Sequence, residues 1–277
     1  MSSPLAIRGV APASRLGERP APSTVLTGIA ELDALTGGLP RGGLSEICGP
    51  ASSGRTSVLL ALMAAVTRRG AICALVDTSD SFHPQSAKAA GVELRRMLWV
   101  RCSESIADGR WPTAKNGRRI DHRPSTIDRL EQALKATDLL LQGGGFGLVV
   151  MDLADIPPET AQRVPLTSWF RFRRAVENTP TVLLAVEQEP HAKSCASLVI
   201  KLSAIGYQLS ASRQPSVVSR QDSTQQSPIS IQPDRFGPSH ARLLHGLNIT
   251  AEIVRSTQKK PVRSTSAQWE SQTAWAG

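Results

Sequence analysis

Eight consecutive residues, Gly49-Pro50-Ala51-Ser52-Ser53-Gly54-Arg55-Thr56, have the types and spacing needed to hold a chain of phosphates. They follow the pattern of two glycines with four residues between them, then lysine, then a hydroxyl, with Arg55 standing where lysine is expected. Gly49 and Gly54 permit a tight backbone path on which successive N–H groups point inward at an anion. A helix beginning at Arg55 would add the positive end of its dipole. The Thr56 hydroxyl is suited to a Mg²⁺ ion carried by the nucleotide, and Ser57 continues the same turn. Arg55 alters the chemistry: a lysine is a slim point charge between terminal phosphates, whereas a guanidinium is broad and prefers a planar, two-pronged contact. Nucleotide binding is expected to survive that change better than catalysis.

The elements that would position this loop are legible on either side. Leu44–Cys48 reads as a short strand entering it, and Ser57–Val66 as an apolar helix leaving it. Three further apolar runs, at 71–77, 97–100 and 181–188, lack polar alternation, as strands buried on both faces do. The run 146–152 ends in Asp152, which puts a carboxylate at the C-terminal end of a strand about a hundred residues past the loop. That is where a second nucleotide element holds Mg²⁺ through water. Helices are expected near 85–90, from Ser125 with Asp128 as a capping box, and over the basic stretch 170–177. Strands alternating with helices indicate an α/β domain with a mostly parallel sheet.

Composition limits the alternatives. The chain of 277 residues carries a formal net charge of +9, which favours an acidic partner, nucleic acid first. Its longest apolar run is too short to cross a bilayer and its polar N-terminus lacks the apolar stretch of a signal peptide, so the cytoplasm is the expected compartment. Cys48, Cys73, Cys102 and Cys195 show no metal-ligand spacing and read as small buried hydrophobes. Residues 1–23 read as a disordered arm, 24–261 as the core, 103–124 as a basic insertion loop, 210–240 as a disordered low-complexity linker and 262–277 as a disordered tail. The alternating segment 248–255 is expected to pair antiparallel with 198–209 at the edge of the sheet.

The order Thr27-Gly28-Ile29, Gly38-Leu39-Pro40-Arg41-Gly42, Glu46-Ile47, the phosphate loop, Val76-Asp77, Val149–Asp152 and Glu187-Gln188 resembles the RecA family of strand-exchange recombinases. The likeness closes with Ile253-Val254-Arg255 and Pro261. It implies a RecA-like P-loop NTPase core with antiparallel edge strands, a site for ATP and Mg²⁺, Gln188 as a sensor of the nucleotide, and Arg255 at a filament-type interface. The family's water-activating glutamate is replaced by Ser79, which cannot act as an effective base, and Asp80 is one residue out of place. The two loops that grip single-stranded DNA are cut short. No catalytic residue is assigned.

A RecA-like core with degraded catalysis is similar to the ImuA-like accessory factors of damage-induced mutagenesis in the SOS response. That resemblance implies a role in DNA repair and translesion synthesis, with an inactive Y-family polymerase relative, ImuB, and RecA as partners; contact with single-stranded DNA would be indirect. Two rivals stand beside it: a DNA-dependent ATPase or recombinase, and a cell-division inhibitor of the same superfamily.

Overall fold

The computed structural model describes residues 23–102, 124–207, 246–257 and 264–272. The arm before residue 23, nearly all of the 103–124 loop and the 210–240 linker lie outside them. Among the described residues, a sheet of eight strands runs between two layers of helices, and a two-stranded ribbon pairs β1 (Thr24–Val25) with β2 (Leu39–Pro40). The large sheet is built from β3 (Gly43–Cys48), β4 (Cys73–Asp77), β5 (Met97–Arg101), β6 (Leu148–Asp152), β7 (Val182–Glu187), β8 (Ala196–Tyr207), β9 (Gly246–Ser256) and β10 (Ser266–Gln272). Its spatial order is β10-β9-β8-β3-β7-β6-β4-β5, parallel from β8 to β5 and antiparallel across β8, β9 and β10. The expected α/β class with antiparallel edge strands is what the chain adopts.

Two apolar cores sit on the two faces. One joins Ile47, Leu75, Val150, Leu184 and Val186 to the buried side of α2 (Arg55–Arg68), with α1 (Ala30–Thr36) and α3 (Pro84–Ala89) on the same face. The other joins Leu44, Val76, Val149, Met151 and Ala185 to α4 (Thr126–Gly143), α5 (Pro158–Ala161) and α6 (Leu166–Val176). Neighbouring residues of each central strand feed opposite cores, so the strands read as unbroken apolar runs.

Local signals explain most boundaries. Ser125 accepts the Asp128 N–H while the Asp128 carboxylate accepts the Ser125 N–H, so the expected capping box starts α4. Gly91, with φ of +90°, turns the chain after α3. The basic helix begins earlier than the 170–177 expectation because Trp169 is buried one turn ahead of Phe172 and Val176 and must lie on the same stripe.

The C-terminal region corrects the sequence reading. Residues 266–272 are not a disordered tail: they form β10, paired residue for residue with β9, and Trp269 packs against the first core. β9 is therefore not the edge. Hydropathy alone could not find this strand, since its polar residues face out and one tryptophan supplies most of its apolar contact. The second tryptophan, Trp275, lies outside the described residues.

Candidate nucleotide site

The phosphate loop leaves the C-terminal end of β3 and enters α2, at the same end of the sheet as Asp77, Asp152 and Glu187. Ser52 and Gly54 have φ of +61° and +89°, the left-handed conformations from which backbone N–H groups can turn toward an anion. A Cβ on Gly49 would lie 2.4 Å from the Leu202 carbonyl oxygen, so only glycine lets β8 pass so close. On Gly54 it would lie 2.4 Å from Ile249 Cδ1, which shows that β9 also braces the loop. Pro50, Ala51, Ser52 and Thr56 are exposed, Ser57 is half-buried and Ser53 is buried with no hydrogen-bond partner for its hydroxyl. These features fit a triphosphate, with Thr56 and Asp152 on the side where Mg²⁺ would sit.

Arg55 does not fit the lysine's part. It is only 8% exposed, and its Nη1 donates to the Glu187 carbonyl at 2.8 Å and to the Ala154 carbonyl at 3.4 Å. The guanidinium thus caps the ends of β6 and β7 instead of projecting to where terminal phosphates would lie. Burial lowers its pKa, an effect opposed by the charges of Asp152 and Asp155. Gln188, the expected sensor, donates from Nε2 to the Ala154 carbonyl at 3.1 Å and is held on the same turn.

The empty base position is also explained. Asp77 accepts from the N–H groups of Ser79, Ser81 and Phe82 and from Trp99 Nε1, fixing the turn after β4. Ser79 is half-buried and its hydroxyl reaches only Thr78 Oγ1, at 3.5 Å. Asp80, with φ of +58°, is held by the Arg101 guanidinium, which also lies over the Trp99 ring. Its carboxylate is therefore committed to β5. Arg129, reaching from α4 to the Thr78 carbonyl at 3.1 Å, closes the turn from the other side.

Arg255, expected at an interface, donates from Nη1 to the Lys193 carbonyl at 2.8 Å and steadies the turn between β7 and β8. Sequence reasoning used Glu46 and Glu187 only as part of the family likeness, without a role, and passed over His191. Glu46 Oε1 accepts the N–H groups of His191 and Ala192 at 2.8 and 2.7 Å, and Glu187 Oε2 lies 2.5 Å from His191 Nδ1. The signal was an acid inside a strand that is buried along its whole length. The four cysteines are buried free thiols, and burial pushes Cys48 up to about 11 and Cys73 up to about 12.

Burial also pushes Asp152 up to about 6, against the Ala154 N–H that it accepts, and pushes Glu187 up to about 7. His191 is raised, first by its hydrogen bond to Glu187. All three bind a proton more tightly folded than unfolded, so their contribution to stability is greatest at low pH and is lost as pH rises through the folded values. The melting temperature is expected to fall by several degrees between about pH 5 and about pH 8 in scanning calorimetry at fixed salt. A flat or rising profile would contradict this set of shifts.

Among the described residues no group of His, Cys, Asp and Glu is arranged to hold a metal by itself, and no helix is long and apolar enough to cross a membrane. Residues 14–105 match the RecA N-terminal domain. Protein RecA of Salinispora tropica is 35% identical over 142 residues, which cover 50% of this chain and 34% of that relative. Protein RecA of Rhizobium rhizogenes is 34% identical over 131 residues, covering 47% and 29%. The chain thus spans about a third of the length of the curated relatives it matches. Sheet order, phosphate loop and these likenesses together support a relationship to the RecA-like superfamily.

Proposed function

We propose that this chain is a RecA-like accessory protein of DNA-damage tolerance, one that binds MgATP weakly at most and acts by docking on partners. The observation that carries it is Arg55, buried against two carbonyl oxygens where a phosphate-loop cation should be free to follow the terminal phosphates. Ser79 in the base position and Asp80 held by Arg101 support the same reading. The partners the reading names are a polymerase-like protein of the ImuB kind and RecA, in the cytoplasm. Holding the nucleotide falls to Gly49, Ser53, Gly54 and Thr56, with Asp152 on the Mg²⁺ side. When bound, Mg²⁺ would neutralise phosphate charge.

A DNA-dependent ATPase is the second reading, favoured by the retained Thr56, Asp152 and Gln188. The two separate in one experiment. The purified chain is mixed with MgATP, with and without single-stranded DNA, and partners are pulled down from damage-treated cells. The adaptor reading expects background hydrolysis under both conditions and recovery of RecA or a polymerase-like protein. DNA-stimulated turnover lost in Asp152→Ala, or recovery of neither partner, would overturn it.

A further inference from the structure

Glu46 on β3 and Glu187 at the end of β7 stand on the same face of adjacent strands, because Cys48, two residues beyond Glu46, is the register partner of Glu187. Both are 0% exposed. Glu46 spends one oxygen on the His191 and Ala192 N–H groups, and Glu187 spends one on His191 Nδ1. The other two, Glu46 Oε2 and Glu187 Oε1, have no hydrogen-bond partner. Two buried carboxylates with unpaired oxygens cannot both be ionised cheaply, whereas a proton on one of them removes a charge and supplies a donor.

The other charged groups near this cluster come from every element around it. Cys48 lies between the two acids, Lys201 faces from β8 and Arg255 from β9, and Glu189 lies on the connecting turn. Arg173 of α6 faces Cys195, as Glu46 does, and Arg55 faces Cys48 from α2. None of these is hydrogen-bonded to the unpartnered oxygens.

The cluster is joined to the phosphate loop along β3, three residues from Glu46 to Gly49, and through hydrogen bonds to Glu187. The main-chain carbonyl of Glu187 accepts both the Gly49 N–H, at 3.2 Å, and Arg55 Nη1, at 2.8 Å. Its side chain ends on His191, whose main chain in turn hangs on Glu46. Movement of Glu187 on ionisation is therefore felt at both ends of the loop, and the added negative charge lies beneath a polyanion.

We propose that Glu46, Glu187 and His191 hold a proton whose release, as pH rises, loosens the phosphate loop and weakens its grip on a nucleoside triphosphate. This rests on the nucleotide-pocket reading and describes how that pocket is regulated.

The test follows three signals of the intact chain from about pH 6 to about pH 8.5: the infrared band of protonated carboxyl groups, the amide resonances of Gly49 and Gly54, and the affinity for a fluorescent ATP analogue. The expected result is a carboxyl band that disappears with the same midpoint at which the two amides shift, and an affinity that falls at least threefold across it. Glu187→Gln, and separately Glu46→Gln, should diminish the band and flatten the other two profiles. No band at the acid end, loop amides that ignore its loss, or a Glu187→Gln protein with unchanged pH dependence would each overturn the proposal. Should the analogue fail to bind at any pH while band and amides titrate together, the nucleotide reading fails and the coupling of proton to loop stands.

Discussion

Single-turnover ATP hydrolysis by an Arg55→Lys, Ser79→Glu double variant is expected to exceed that of the unaltered chain by about two orders of magnitude, the lower end of what a placed general base supplies. Arg55→Lys alone is expected to tighten MgATP binding roughly tenfold and leave turnover at background. The two effects separate because the defects are separate. Arg55 is withdrawn onto the Glu187 and Ala154 carbonyls, so a shorter donor list and a slimmer head release a cation toward the phosphates. Position 79 follows an Asp77 turn fixed by four hydrogen bonds, so a glutamate there would be presented by a rigid backbone. Rapid-quench measurements on the two single variants and the double variant decide it. If Arg55→Lys alone restores turnover, the missing base is not what limits this site, and Asp80 released from Arg101 becomes the group to remove next.

Phe172→Ala is expected to cost about 3–5 kcal/mol of folding stability, read as a shift in the urea midpoint at constant slope. Phe172 is 0% exposed and meets Trp169, 1% exposed, edge to face at a centroid distance of 6.2 Å. Together they anchor α6 on the face of the sheet that carries Leu44, Met151 and Ala185. A loss below about 1 kcal/mol would mean that the helix closes over the gap by repacking.

Much of the fold was legible because its central strands are buried on both faces. Runs such as Leu148–Asp152 and Val182–Glu187 carry no competing periodicity, and they fall within a residue or two of where they were expected. The phosphate loop announced itself through residue types that few other structures require at that spacing. Legibility failed where burial is one-sided or mostly polar, as in β10, which pairs with β9 through the backbone and packs Trp269 on the core.

The sequence by itself determined an α/β sheet with a phosphate loop following one of its strands, a carboxylate at Asp152 and a hydroxyl where a catalytic base would be needed. These depend on local pattern: which residues alternate, where glycine is required, which side chain occupies a position. Only the tertiary structure decided what those side chains do. Arg55 could have reached for phosphate, yet the Ala154 and Glu187 carbonyls, at strand ends remote from it in the chain, accept its guanidinium instead. Asp80 could have swung into the site, yet Arg101 and Trp99 on the neighbouring strand hold it away. Glu46 and Glu187 are separated by 141 positions, and nothing in either neighbourhood says that parallel pairing will set them on one buried face with His191 between them. Hydrogen-bond partners distant in sequence are chosen by geometry and desolvation, which no linear pattern encodes.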